Sequence, residues 1–164
     1  MNEKFDLVIM RDVIEHIHDQ EKFFDFAKRF LAKNGRFFLA FPPWQNPFGG
    51  HQQVCRSKVL SRFPYLHLLP GTLYPMILRA FHEPDSVVTG LLEIRETRIS
   101  IERFRKIVRD KKYFIDREIF YFINPNYEIK FGLRPRKQAS LINSVPWIRN
   151  FLITSCYYLL SSRE

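Results

Sequence analysis

Glu15 and His16 stand side by side, His18 follows two residues later, and His51 comes directly after the pair Gly49-Gly50. A carboxylate and imidazoles can move a proton, and Glu15, His16 and His18 together invite a metal reading. His16, whose ring titrates near neutrality when unperturbed, can act as a general base or orient a substrate hydroxyl. From a loop, His51 can reach a bound acceptor and remove its proton. The competing readings are structural. In them, Glu15 and His16 open a helix and fix its turn by hydrogen bonds, while His51 bonds to nearby backbone. A zinc site is disfavoured, because no third imidazole or thiolate follows the 15–18 cluster at a recognisable interval. No metal ligand is therefore assigned.

These groups need elements to hold them. Residues 7–10 are continuously apolar between charged neighbours, the pattern of a strand buried on both faces of a parallel sheet. Asp19 can cap a helix whose stripe is Phe23, Phe24, Ala27, Phe30 and Leu31, with Asn34-Gly35 as its stop. Residues 36–41 read as a second strand, ended by Pro42-Pro43. Strand, helix and strand at this spacing form a βαβ unit with parallel strands and a right-handed crossover. Both strands then end on one side, which sets residues 11–18 beside residues 42–51, where α/β folds place ligands.

Residues 43–98 read as an insert with one or two short helices, since Pro, Gly and His interrupt every apolar run. Within it, residues 59–81 are apolar and aromatic but broken by Pro64, Pro70 and Pro75, as in a lid or an interfacial patch. Ser100 can cap a helix carrying Ile101, Phe104, Ile107 and Val108 on one face. Residues 113–123 and 127–133 flank Asn124-Pro125-Asn126 as an antiparallel hairpin, and residues 147–160 read as a final amphipathic helix.

A chain of 164 residues with 46% hydrophobic content and 17 Phe can bury one bulky core, which predicts a single domain spanning 1–164. Its net charge of +9 favours anionic partners without choosing among them. Cys55 and Cys156 lack the spacing of a metal knuckle or redox motif, which favours a reducing, cytoplasmic setting. Neither a secretory signal nor a run of about 18 to 20 apolar residues is visible, so any membrane association is peripheral.

Residues 7–10 carry no charge, Pro or bulge to protect an exposed edge, so the strand calls for a partner on both sides and for more sheet upstream. The run FDLVIMRDVIEHIHDQEKFFDFAKRFLAKNGRFFLAFP resembles the middle of a class I S-adenosylmethionine-dependent methyltransferase, in the group similar to the ubiquinone and menaquinone methyltransferases. It is similar in its apolar strand, its turn Val13-Ile14-Glu15-His16-Ile17-His18-Asp19, its helix, its stop at Lys33-Asn34-Gly35 and its second strand. The resemblance implies an α/β fold with a partial Rossmann-like sheet: two parallel strands with a crossover helix, the insert, a helix, a C-terminal antiparallel hairpin and a final helix. It also implies that Met10, Arg11 and Asp12 meet the methionine end of S-adenosylmethionine, and that Glu15 and His16 match the family's EH pair.

The front of the family's pattern is missing. A Gly-rich loop and the acidic residue that holds the ribose would precede Phe5, and Gly49-Gly50 lacks G-x-G-x-x-G spacing. The expectation is an incomplete domain lacking roughly three strand-helix units of about 30 residues each and inactive alone. Its acceptor is left open among small molecules, lipid-like compounds and saccharides. The alternatives are a basic nucleic-acid-binding module, disfavoured for want of a motif, and a module bound to an anionic membrane surface. Oligomeric state is left open.

Overall fold

The computed structural model describes residues 3–162. Strand β1 (Phe5–Arg11) pairs in parallel with β2 (Leu31–Phe41), and α1 (Gln20–Lys28) is the crossover between them. Asp19 caps α1 as its sequence position suggests, its Oδ1 accepting from the Lys22 amide at 3.0 Å. The helix stops at Lys28, ahead of the anticipated Asn34-Gly35. Those two residues instead turn the chain inside a register shift, where Phe5 pairs with Leu31 and Leu7 with Arg36. Asn34 adopts φ 64° there, and a Cβ on Gly35 would stand 2.9 Å from the carbonyl oxygens of Ala32 and Phe5.

Among the described residues three further strands join the sheet: β3 (Tyr113–Ile123), β4 (Arg136–Lys137) and β5 (Ser155–Ser162), in spatial order β1-β2-β5-β3-β4. This corrects two expectations. Residues 127–133 are not a hairpin arm, because α5 (Asn126–Phe131) forms there between Pro125 and a left-handed Gly132. Nor are residues 147–160 a final helix. Only the short α6 (Arg149–Leu152) is helical, and the rest is β5, inserted antiparallel between β2 and β3. The mixed α/β class stands, with antiparallel strands closing the sheet.

One face of the sheet carries the core. Phe37, Leu39 and Phe41 of β2 lie beside Leu160, Tyr158 and Cys156 of β5, all buried beneath α1 and α4 (Ile101–Asp110). The Phe24 ring of α1 sits 5.9 Å from Phe37 and 5.8 Å from Phe104 of α4. Ser100 caps α4 by accepting from the Arg103 amide at 3.1 Å. The insert has its own apolar cluster around Leu60, Leu66, Tyr74, Leu78, Val88 and Leu91, organised by α2 (Leu73–Ala80) and α3 (Asp85–Thr97).

The opposite face is open at β1 and more covered toward β2 and β5, where Ala40 is buried and Phe38 and Tyr157 are half-buried. Leu7 and Ile9 are 50% and 65% exposed, and β1 forms the sheet edge. The expectation of a strand buried on both faces is therefore corrected, since helices cover only the side that Val8 and Met10 share with Phe37 and Leu39.

Two glycines separate the effects of space and conformation. Gly35→Ala is expected to cost about 1–3 kcal/mol in urea unfolding, because its Cβ meets backbone that cannot step aside. In Gly90→Ala the new Cβ meets nothing inside α3, so a gain of up to about 1 kcal/mol is expected.

Candidate functional site

The site is built where β1 and β2 end. Past Arg11 the chain leaves the sheet at Asp12, whose φ of 52° turns the backbone while its amide still donates to the Ala40 carbonyl at 2.8 Å. A single 3₁₀ turn, Ile14–His16, follows. It buries Ile14 in the main core and sends Glu15 inward, leaving His16 exposed. The Thr97 hydroxyl at the end of α3 donates to the Glu15 carbonyl, and Gln20 Nε2 donates to the carbonyls of Ile14 (3.2 Å) and Thr97 (2.6 Å). The insert is thereby fastened to the turn after β1.

His51 arrives from the other strand. After β2 the loop folds tightly on itself: a Cβ on Gly49 would lie 2.1 Å from the Trp44 carbonyl oxygen, and one on Gly50 would lie 2.1 Å from Cβ of the buried His67. Only glycine permits either approach. His51, at φ 58°, then carries its ring to 5.1 Å from that of His16, edge to face.

Sequence reasoning brought His16 and His51 to the same edge, and the fold joins them. What spacing alone concealed is the third member. The Glu15 carboxylate is 3% exposed, and neither of its oxygens has a hydrogen-bond partner. One donor atom each from Glu15, His16 and His51 lies within 4.8 Å of the other two. His51 is 35 residues away along the chain from His16, so no local interval could have revealed the group. The signal that existed was Gly49-Gly50, which marks a place where backbone must approach something closely.

Two cavities meet at His51. A cleft of about 420 Å³ is lined by His16, His18, His51, Glu93, Ile94 and Thr97 among others. On the other side a pocket of about 900 Å³ is lined by Asp12, Pro42, Phe48, His51, Tyr127 and Phe131 among others. Met10 is half-buried on the core side of β1, and the Arg11 guanidinium pairs with Asp12 at 3.4 Å. Of the three residues assigned to the cofactor's methionine end, Asp12 therefore borders the larger pocket.

Burial dominates the electrostatics. It lifts the Glu15 carboxyl to about 8, opposed by the nearby N–H of its own backbone, which makes no hydrogen bond to it, and aided by a smaller push from Asp12. Burial, aided by the charge of His16, lowers His51 to about 4. At neutral pH, then, Glu15 is held protonated and His51 neutral.

Residues 1–68 match a family model described as a methyltransferase domain. No curated protein matches the chain. The matched span takes in the whole parallel unit with Asp12, Glu15, His16 and His51, and it supports a methyltransferase-type function. Domains of that description generally use S-adenosylmethionine. The helices and strands from α2 onward lie outside the match.

The Glu15 shift has a consequence for stability. Between pH 4.5 and about 8 the folded chain keeps a proton on Glu15 that the unfolded chain has lost, so the Glu15 contribution to stability falls as pH rises through this window, while His51 and His67, both lowered to about 4, contribute in the opposite sense below about 6.5. The slope reaches about 1.4 kcal/mol per pH unit at most. Glu15→Gln removes that contribution. Urea unfolding near pH 5 and near pH 7.5, in buffer free of divalent ions, should show the variant gaining on the parent at the higher pH.

Proposed function

We propose that the chain is the carboxyl-terminal part of an S-adenosylmethionine-dependent methyltransferase, similar to the ubiquinone and menaquinone methyltransferase group. The observation that carries this is the matched parallel unit, whose strand ends open on a pocket bordered by both Asp12 and His51. Asp12 offers a carboxylate to the ammonium group of the cofactor's methionine end, beside Met10 and Arg11. For the adenosine end the chain has no G-x-G-x-x-G run, so its residues fit one end of the cofactor only. The open face and edge at Leu7 and Ile9 support the remaining strand-helix units packing there, without which the chain is inactive.

Bound cofactor supplies an electrophilic methyl group. The chain's own contribution is to align the acceptor, which is how positioning lowers such a barrier. His51 stands at the pocket wall with a neutral ring that can accept a hydrogen bond from an acceptor hydroxyl. A ring titrating near 4 is a weak base at neutrality, so orientation is its larger contribution. His16 backs it at 5.1 Å.

The acceptor we assign is lipid-like. Val54, Phe131 and Leu133 line the larger pocket while standing 60%, 66% and 47% exposed, and Arg62 and Lys130 line it beside them. An apolar rim with basic neighbours suits the cytoplasmic surface of an anionic membrane. A nucleic-acid role is less well supported, because cations within 95–112 are engaged internally. Arg95 donates to the carbonyls of His67 and Leu69, Arg105 pairs with Glu118 and Lys111 with Asp25.

Two measurements test this reading. Protein isolated from its own organism should be roughly 10 kDa heavier than this chain, on the estimate of three further units, and should crosslink to labelled S-adenosylmethionine. A product of 19.8 kDa that does not crosslink would overturn the proposal. For the acceptor class, the chain should co-sediment with vesicles containing anionic lipid and not with neutral ones, and Phe131→Asp should weaken retention several-fold. Equal absence from both vesicle types would remove the lipid-like acceptor.

A further inference from the structure

Methyl transfer makes no use of one group in the site, the Glu15 carboxylate, which is buried at 3% exposure with neither oxygen bonded. A carboxyl group sealed in this way normally finds a donor. Two imidazoles stand close by and neither bonds it, although one donor atom from each of the three residues lies within 4.8 Å of the other two. Facing polar groups that converge without bonding to each other are arranged for something between them.

We propose that Glu15, His16 and His51 bind a divalent transition-metal ion of the zinc type, with its open coordination position turned toward the 420 Å³ cleft. Two nitrogen donors and one carboxylate suit zinc and its neighbours in the first transition row, and suit magnesium or calcium poorly. Three protein ligands with a cavity alongside is the arrangement of an ion that keeps a place for water or an oxygen ligand.

Ligand atoms at about 2.0–2.2 Å from a tetrahedral ion stand roughly 3.4 Å apart, so closing the site takes about an ångström of travel. The exposed His16 side chain is free to supply it, while His51 is held by Gly49-Gly50 and Glu15 by the Thr97 contact to its carbonyl. His18 and Glu93 line the same cleft outside this group, where they can meet water on the ion. Because His51 also borders the larger pocket, the ion sits at the junction of the two cavities. Resting on the methyltransferase reading, this position would let the ion take an acceptor oxygen; the binding itself does not depend on that reading.

The test is calorimetric titration of Zn²⁺ into the 164-residue chain after stripping with chelator. One ion per chain is expected. Glu15→Gln, His51→Gln and His16→Gln should each weaken binding at least about tenfold, whereas His82→Gln, a surface histidine remote in sequence, should leave it unchanged. Circular dichroism establishes that each variant is folded. Should His51→Gln fail to fold, the exposed His16 and the neutral replacement of Glu15 still decide the matter. Absence of stoichiometric binding, or variants that bind as the parent does, would overturn the site. Equal binding of Mg²⁺ through the same residues would overturn the metal class. No methyl transfer is read, so this result and the outcome for the methyltransferase proposal are separable.

Discussion

The approach of the Gly49-Gly50 backbone to Trp44 and His67 is the contact on which the site depends. With no Cβ on either residue, the loop after β2 closes to distances that a side chain would block. His67 Nε2 lies 2.7 Å from the Trp44 carbonyl, which can only accept, so the ring carries its proton on that nitrogen. The His67 and Trp44 rings also meet edge to face at 4.6 Å. One buried histidine thus joins the end of a strand in the main core to the first turns of the insert, and His51 takes its position from that junction.

A second fastening works from the opposite wall. Thr97 and Gln20 tie the last turn of α3 to the turn after β1 through backbone carbonyls, so the cleft has both sides held by hydrogen bonds of long sequence separation. Elsewhere the chain uses a buried ion pair in the same way. Arg149 meets Glu102 at 2.9 Å, and Asn150 Oδ1 accepts from the Ile101 amide, which anchors α4 beside the segment entering β5. Removing one partner would leave a buried charge unmatched.

The parallel unit and α4 were legible because local and global signals agreed: Asp19 and Ser100 cap where they should, and the apolar stripes face the same core. The misread segments show where that agreement fails. Tyr127, Glu128, Ile129, Lys130 and Phe131 alternate like a strand, yet none is buried, so nothing rewards the alternation. Local chemistry then decides, with Pro125 opening a short helix and Gly132 closing it at φ 66°. The reverse holds for β5. Its run Cys156-Tyr157-Tyr158-Leu159-Leu160 has no clear period, and only its place between two strands identifies it. Of the candidate site, the imidazoles were readable as chemistry, but Glu15 gained its significance from burial that no spacing encodes.

The position of β5 also bears on how the protein is made. β2 and β3 never touch in the finished sheet; each pairs with the strand that is translated after both of them. A nascent chain emerging from the ribosome therefore holds two long, aromatic strands with no shared partner until Ser162 is free of the exit tunnel. During that interval the exposed strands invite capture by other unfinished chains, and chaperones have a window in which to bind them. The time taken to deliver β5 after β3 sets how long that window stays open.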